Sequence, residues 1–293
     1  RGITCYRVYD RDIPEYPYTA DIYEDHLILT EVATASFIER ADSDVIRAEI
    51  KKRFATIFHV DINKIHQKTR SKQKGGMQYQ KLSEGGAIIA HGNGLQFYIY
   101  PDNWLDVGLF LDHRNLRKTV RESAADKKML NLFCYTGSFS INAGAGGAKL
   151  VHSVDLSSRY VKVLTENWRL NADTIAASVL HETFAMDART FLQESPQNFY
   201  DIIVCDAPVF SRSSRQTRDF DVLRDHPQLI RDALRTLSPN GILYFSTNFR
   251  KFRIRFPEEG DSAQVKNISA QTIPEDFRNK WIHTCYSVQK SAS

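Results

Sequence analysis

From Asp126 onward short apolar runs alternate with helical stretches, and this alternation limits the fold more than any other feature of the chain. The runs are KMLNLF (128–133), KLVHSVD (149–155), ASVLHETF (177–184), YDIIVCD (200–206) and GILYFSTN (241–248). Stretches such as SSRYVKVLTENWRLN (157–171) and DVLRDHPQLIRDALRTL (221–237) separate them, with apolar residues at helical spacing. A strand that is followed by a helix returns as a parallel neighbour, so repeated strand–helix units build a parallel sheet with helices on both faces. The expectation is an α/β fold with a doubly wound, Rossmann-like sheet, completed by strands at KNISAQTI (266–273) and WIHTCYSVQ (281–289).

The preceding residues predict a smaller α+β module over 1–103, with the larger domain over 104–293. CYRVYD (5–10) and DHLILTEV (25–32) have strand composition, and GAIIAHGNGLQFYIYP (86–101) places Asn93-Gly94 between two apolar runs, a hairpin signal. DVIRAEIKKRFATIFH (44–59) gathers Val45, Ile46, Ile50, Phe54, Ile57 and Phe58 on one helical face, capped by Ser43 or Asp44.

No apolar run approaches the roughly 18 residues of a membrane span, and no charged-then-apolar leader opens the chain. Cys5, Cys134, Cys205 and Cys285 lack any chelating spacing, so reduced thiols, no metal and a cytoplasmic location are expected. The chain starts at Arg1 rather than Met, as a piece cut from something longer would. Its net charge of +4 points to a polyanionic partner only where the charge is clustered. KIHQKTRSKQKGGMQYQK (64–81) holds six Lys or Arg and no acid, NFRKFRIRF (248–256) interleaves Arg250, Lys251, Arg253 and Arg255 with phenylalanines, and SRSSR follows Phe210. Such runs read as solvated loops or edge strands singly, and as a phosphate-tracking surface together.

Ligands of open parallel sheets bind beyond the carboxyl ends of the strands. The loop after the first strand, CYTGSFS, offers Gly137 and the amides of the helix that begins near Ser138. Asp155 ends the next strand 18 residues after Gly137, where a carboxylate can accept from both hydroxyls of a ribose; its alternative is a helix cap. Either NAD or S-adenosylmethionine has such a ribose, but the dinucleotide fingerprint requires three glycines in this loop and there is one. GAGGA (144–148) stands after the helix and reads as a helix stop. Asp187, in FAMDAR, is placed to meet an adenine amine or to cap a helix. Asp206 ends the fourth run and is followed by Pro208 and Phe210.

CYRVYDRDIPEYPY, KTRSKQKGGMQYQKL, WLDVGLFLDHR, NLFCYTGSFSINAGAGGAK, CDAPVFS and EDFRNKWIHTCY resemble, in order, the C-terminal, RlmK half of the bifunctional RlmKL-type enzymes, which are class I S-adenosylmethionine-dependent methyltransferases. The resemblance covers nearly the whole chain. It implies a seven-stranded sheet with its last strand antiparallel, S-adenosylmethionine as cofactor, N7 of a guanine in large-subunit ribosomal RNA as acceptor, and a second methyltransferase domain, fused upstream of Arg1 or separate. For the cofactor it implies Asp112 and Arg114 of GLFLDHR at the methionine end, with a mutual ion pair as their plain alternative. The loop after the first strand would add Asn131, Phe133, Tyr135, Thr136, Gly137 and Ser138, and the next two loops Asp155, Leu156, Asp187 and Ala188. Asp206 would serve both cofactor and acceptor, with Pro208 and Phe210 shaping a slot for the base. Lys68, Arg70, Lys72, Lys74, Arg212, Arg215, Arg250 and Lys251 would hold RNA phosphates, the first four from an RNA-binding N-terminal module. The family pattern Asp-Pro-Pro-x-Phe has Ala207 here in place of its first proline, which frees one φ angle.

Guanine N7 attacks with an in-plane lone pair and loses no proton, so the site needs positioning and charge stabilisation rather than a general base. Methylation at cytosine C5 needs a cysteine, which the RlmI relatives carry after the fifth strand; here that place holds Ser246, Thr247 and Asn248, while Cys134 and Cys205 read as small buried hydrophobes. Transfer to another base atom such as an exocyclic amine, a noncatalytic RNA-binding role and a nicotinamide oxidoreductase are the alternatives, the last disfavoured by the single glycine.

Overall fold

The computed structural model describes residues 2–32, 43–70, 86–104, 106–212, 218–256 and 263–290. The chain divides into two compact units, Arg1–Leu111 with Glu275–Asn279, and Asp112–Pro274 with Lys280–Ser293. The first unit thus extends beyond residue 103 and takes in a short segment from near the end of the chain.

In the first unit β1 (Cys5–Asp10), β2 (Tyr18–Tyr23), β3 (His26–Val32) and β4 (Ile65–Arg70) form one sheet in sequence order, with only β3 and β4 parallel. α1 (Ser43–Phe58) makes that parallel crossover and packs Ile50 into a core with Tyr18, Ala20, Leu27, Leu29 and Ile65. β2 is absent from the sequence reading, and β4 enters it only as the edge-strand alternative for the basic run 64–81. Both are short and rich in polar residues, YTADIY and IHQKTR, and their partners define them. β5 (Ile88–Gly92) and β6 (Leu95–Ile99) form the expected hairpin, with φ of 55° at Asn93 and 74° at Gly94 satisfying a type I′ turn.

The second unit is built on a seven-stranded sheet. β7 (Lys128–Leu132), β8 (Leu150–Asp155), β9 (Leu180–Ala185), β10 (Tyr200–Asp206) and β13 (Leu237–Thr247) are parallel, and β15 (Thr284–Lys290) runs antiparallel between β13 and β14 (Ala263–Asn267). The order is β14-β15-β13-β10-β7-β8-β9. The two-residue strands β11 (Phe210–Ser211) and β12 (Phe220–Asp221) pair separately. Alternation along the central strands divides the core. Met129, Ile202, Val204 and Tyr244 face α2 (Arg114–Ser123) and α3 (Ser138–Ala145), while Leu130, Leu132, Ile203, Leu243 and Phe245 face α5 (Ala188–Glu194) and α6 (Val222–Thr236). α4 (Ser158–Leu170) lies with α3 through Trp168.

The expected strand over 266–273 is corrected. β14 stops at Asn267, and α7 (Ser269–Thr272) follows. Asn267 Oδ1 accepts from the Ser269 amide (3.0 Å) and hydroxyl (2.7 Å), a local turn that ends the strand. The region 248–256, read as a possible edge strand, is irregular: Phe252 and Phe256 are buried in the core, Phe249 packs against it, and Arg250, Lys251, Arg253 and Arg255 are exposed.

Phe245 is fully buried two residues before the carboxyl end of β13. Phe245→Ala is expected to destabilise the protein by about 3–5 kcal/mol in denaturant unfolding, and a loss under about 1 kcal/mol would contradict this packing.

Candidate active site at the carboxyl ends of the central strands

β7, β8, β9 and β10 end on the same edge of the sheet, and their following loops carry most of the residues singled out from sequence. The loop after β7 is tightly wound, with φ of 54° at Phe133, 50° at Tyr135 and 83° at Gly137. Side chains rarely adopt that region, and such strain concentrates at functional sites. Gly137 also has no room for a Cβ, which would lie 2.3 Å from Leu164 Cγ. It stands at the N-cap of α3 without a capping side chain, so Ser138 and the rest of the first turn lead off with amides free of intrahelical partners. Thr136 is buried and its carbonyl accepts from Asn167 Nδ2 (3.0 Å). Asn131, buried within β7, donates to Ser140 Oγ (2.8 Å), and its Oδ1 has no hydrogen-bond partner among the described residues.

Asp155 Oδ2 accepts from the Tyr135 amide (2.9 Å) and Oδ1 from the Ser157 amide (2.8 Å), which ties the ends of β7 and β8 together. Burial pushes its carboxyl up to about 6, with those two amides opposing. The cap of α4 is Ser157, not Asp155. Leu156 beside it is half-buried. Asp187, by contrast, caps α5 through the Arg189 amide (2.8 Å) and forms a two-pronged ion pair with the Arg189 guanidinium (3.0 and 2.8 Å). Ala188 starts that helix and is buried.

Asp206 is held from two sides. Ser246 Oγ, its register partner on β13, donates to Oδ1 at 2.7 Å, and His113 Nε2 lies 3.4 Å from Oδ2. Burial pushes the Asp206 carboxyl up, but His113 and Ser246 more than offset this and leave it below the ordinary carboxylate range. His113 is buried, stacked on His283 with ring centres 4.3 Å apart and planes 8° from parallel. His283 Nδ1 meets Asp112 Oδ2 at 2.9 Å and its Nε2 meets Thr272 Oγ1 at 2.9 Å. Asp112, His113 and His283 place ligand-type atoms within 4.8 Å of one another. The rings are parallel and both nitrogens of His283 are taken by Asp112 and Thr272, a hydrogen-bonding arrangement rather than lone pairs converging on a cation. Asp112 therefore engages His283, and Arg114 is buried at the start of α2.

The Ala207 departure has a structural counterpart. Its amide donates to the Ser246 carbonyl at 2.8 Å, a bond that proline cannot make, so β10 stays paired with β13 one residue beyond Asp206. Pro208 is half-buried, and Phe210 is 46% exposed two residues later. Arg212 is exposed at 3.6 Å from Asp219, and Arg250 and Lys251 are exposed.

In the first unit one expected RNA contact is corrected. Lys68 is buried and donates to the Trp104 carbonyl, and burial pulls its ammonium down to about 8. A lysine buried against the Trp104 carbonyl, on the face of β4 opposite Ile65 and α1, cannot present its charge to phosphate. Lys64 of the same basic run pairs with Asp25. Lys72, Lys74 and Arg215 lie outside the described residues, as does the side chain of Arg70.

His113, His283 and Ser246 are the site residues that the sequence reading missed. Both histidines stand inside quoted motifs, GLFLDHR and WIHTCY, yet only the fold brings these 170-residue-distant positions together.

Sheet order, reversed β15, glycine-turned first loop and acidic ends of β8 and β10 together define a class I methyltransferase. Residues 82–254 match the model of the S-adenosylmethionine-dependent methyltransferase family. The chain is 40% identical to ribosomal RNA large subunit methyltransferase K of Neisseria meningitidis, over 98% of this chain and 81% of that protein. It is 38% identical to the K/L protein of Aliivibrio fischeri over 98% of this chain but spans only 40% of that longer one. A solved methyltransferase complexed with SAH superimposes with a TM-score of 0.73 at 23% identity, covering 98% of this chain and 75% of that one, a likeness of fold. The chain belongs to the methyltransferase K family of S-adenosylmethionine-dependent methyltransferases.

S-adenosylmethionine is the cofactor, and the residues present fit it. The Asp155 carboxylate at the end of β8 offers acceptors of the kind ribose hydroxyls need, and the first turn of α3, which starts at Gly137 without a capping side chain, offers backbone donors. Ribose hydroxyls donate best to an ionised carboxylate. Affinity for S-adenosylmethionine is therefore expected to hold above about pH 6 and to fall as pH drops through that value, while Asp155→Asn binds more weakly at every pH without that dependence. Calorimetric titration at several pH values checks this, and a wild-type affinity that stays flat would contradict it.

Proposed function

We propose that this protein transfers a methyl group from S-adenosylmethionine to N7 of a guanine in large-subunit ribosomal RNA. The observation that carries the reading is Asp206, fixed by Ser246 and His113 at the end of β10, with the exposed Phe210 four residues on. Bound at the adjoining loops, the cofactor supplies a methyl group already activated on a positive sulfonium. The protein's own part is to hold a flat base in line with it. As N7 forms its bond to carbon the carbon–sulfur bond breaks, and the positive charge passes to the purine, where an anionic Asp206 stabilises it. Phe210 supplies a stacking face for an unstacked base, a contact of roughly 1–3 kcal/mol.

The thiols support a reaction without a covalent enzyme–base adduct. Cys134 and Cys205 are both buried, and burial pushes each thiol well above its ordinary value, so neither offers a thiolate to a pyrimidine ring. The position after β13 corresponding to the RlmI cysteine holds no thiol. The family relation supports ribosomal RNA as partner, since the K and K/L relatives are named for it. Exposed Arg212, Arg250 and Lys251 are the described cations of the second unit assigned to its phosphates. We assign an RNA-binding accessory role to the first unit, with a second methyltransferase domain as a further partner of the kind the longer K/L proteins contain in their name. Among the described residues no helix is long and apolar enough to cross a membrane.

The test is incubation of the protein with unmodified large-subunit ribosomal RNA and methyl-labelled cofactor, followed by digestion and nucleoside mapping. Label in 7-methylguanosine is expected; label in a different nucleoside or on an exocyclic amine would overturn the choice of atom. Asp206→Ala is expected to lower transfer by about 10²-fold or more while cofactor binding persists.

A further inference from the structure

We propose that His113 is a positioning residue that sets the charge Asp206 presents to the acceptor base, with His283 stacked behind it to fix its ring. This rests on the reading of Asp206 as the acceptor-side carboxylate. The geometry has three parts. His113 Nε2 faces Asp206 Oδ2 at 3.4 Å and Asp112 Oδ2 at 3.9 Å, so one ring nitrogen meets two carboxylates. Its Nδ1 is buried and has no hydrogen-bond partner among the described residues. Its face is covered by His283 on one side, and Phe139 meets it edge-on at 5.6 Å.

His283 favours its neutral form. Its Nδ1–H donates to Asp112, and its Nε2 lies 2.9 Å from the Thr272 hydroxyl, which also lies 3.1 Å from the Ser269 carbonyl as its donor. Burial and the neighbouring His113 both pull its pKa down. The pair therefore carries one ionising proton, and it resides on His113, where burial is outweighed by Asp206 and Asp112 and the pKa is raised above its ordinary 6.5. Arg117 on α2 opposes that rise. These are the titratable and charged groups that face His113 among the described residues: Asp112 on its own loop, Asp206 on β10, His283 before β15 and Arg117 on α2.

Nδ1 lacks a partner for its proton, so Nδ1 gives up the proton to solvent as pH rises while Nε2–H stays on Asp206. Below the raised pKa, His113 neutralises Asp206; above it, the carboxylate keeps its position and regains its full charge. The ion pair's contribution to stability runs the other way, full below the ordinary histidine value and lost as pH rises through the raised one. A purine that gains positive charge in the transition state is favoured by the deprotonated state, so the rate rises with pH.

The experiment is the pH profile of single-turnover methyl transfer, from about pH 6 to about pH 9, in wild type, His113→Gln, Asp112→Asn and Asp206→Ala. Wild type is expected to climb about tenfold per pH unit on its acid limb before levelling. His113→Gln retains a donor that does not titrate, so it is expected to lose the limb and show a lowered rate that does not vary with pH across the range. Asp112→Asn removes one of the two charges that hold the proton and is expected to shift the limb to lower pH, which serves as the second readout if His113→Gln does not fold. A limb that persists unchanged in His113→Gln, or is unmoved in Asp112→Asn, would overturn the proposal. An active Asp206→Ala would instead overturn the reading it rests on, and the nucleoside identified in the same products reports separately on the acceptor atom.

Discussion

The site depends on a carboxylate kept in place where the sheet would otherwise leave it exposed and alone. Asp206 ends β10 between β7 and β13, and the parallel register sets Ser246 directly beside it. One hydroxyl and one imidazole then share the two oxygens. Hydrogen bonding to the charged form and a nearby cation both favour ionisation, and together they overcome the cost of burial. A carboxylate so held loses little entropy on meeting a base. The Ala207 amide contributes to the same end by extending the β10–β13 ladder past Asp206.

The cofactor edge uses a different device. Asp155 is not countered by a charged side chain; its anion is supported by the backbone amides of Tyr135 and Ser157. Two amides do not fully replace water, and the carboxyl stays raised. Two carboxylates on one sheet edge thus sit on opposite sides of the ordinary value, one depressed at the end of β10 and one raised at the end of β8, because their partners differ.

The second unit's fold was legible because hydrophobic periodicity survives wherever a strand is covered on both faces. β7, β8 and β10 match their apolar runs within a residue, and the Asn93-Gly94 hairpin follows from its turn chemistry. β2 was not legible, and β4 only as an edge-strand alternative, since half-exposed strands owe their existence to neighbours. The strand that became α7 failed on one Asn side chain turning back on the chain. Gly137, Asp155 and Asp206 could be found from their spacing after strands, whereas His113 and His283 could not: their meaning lies in a stack between distant segments. Counting charges misread Lys68, because the Trp104 segment covers this lysine on the face of β4 opposite the core residue Ile65.

The central claim, that His113 is the cation partner of Asp206, is open to direct observation. In protein carrying nitrogen-15 histidine, with His113 assigned by its loss in His113→Gln, the ring nitrogens report protonation and tautomer as pH is varied. The account predicts a His113 titration above the ordinary 6.5, with the proton leaving Nδ1, and a fall in that value in Asp206→Asn. A His113 that titrates at or below its ordinary value, or whose titration is indifferent to Asp206→Asn, would contradict it.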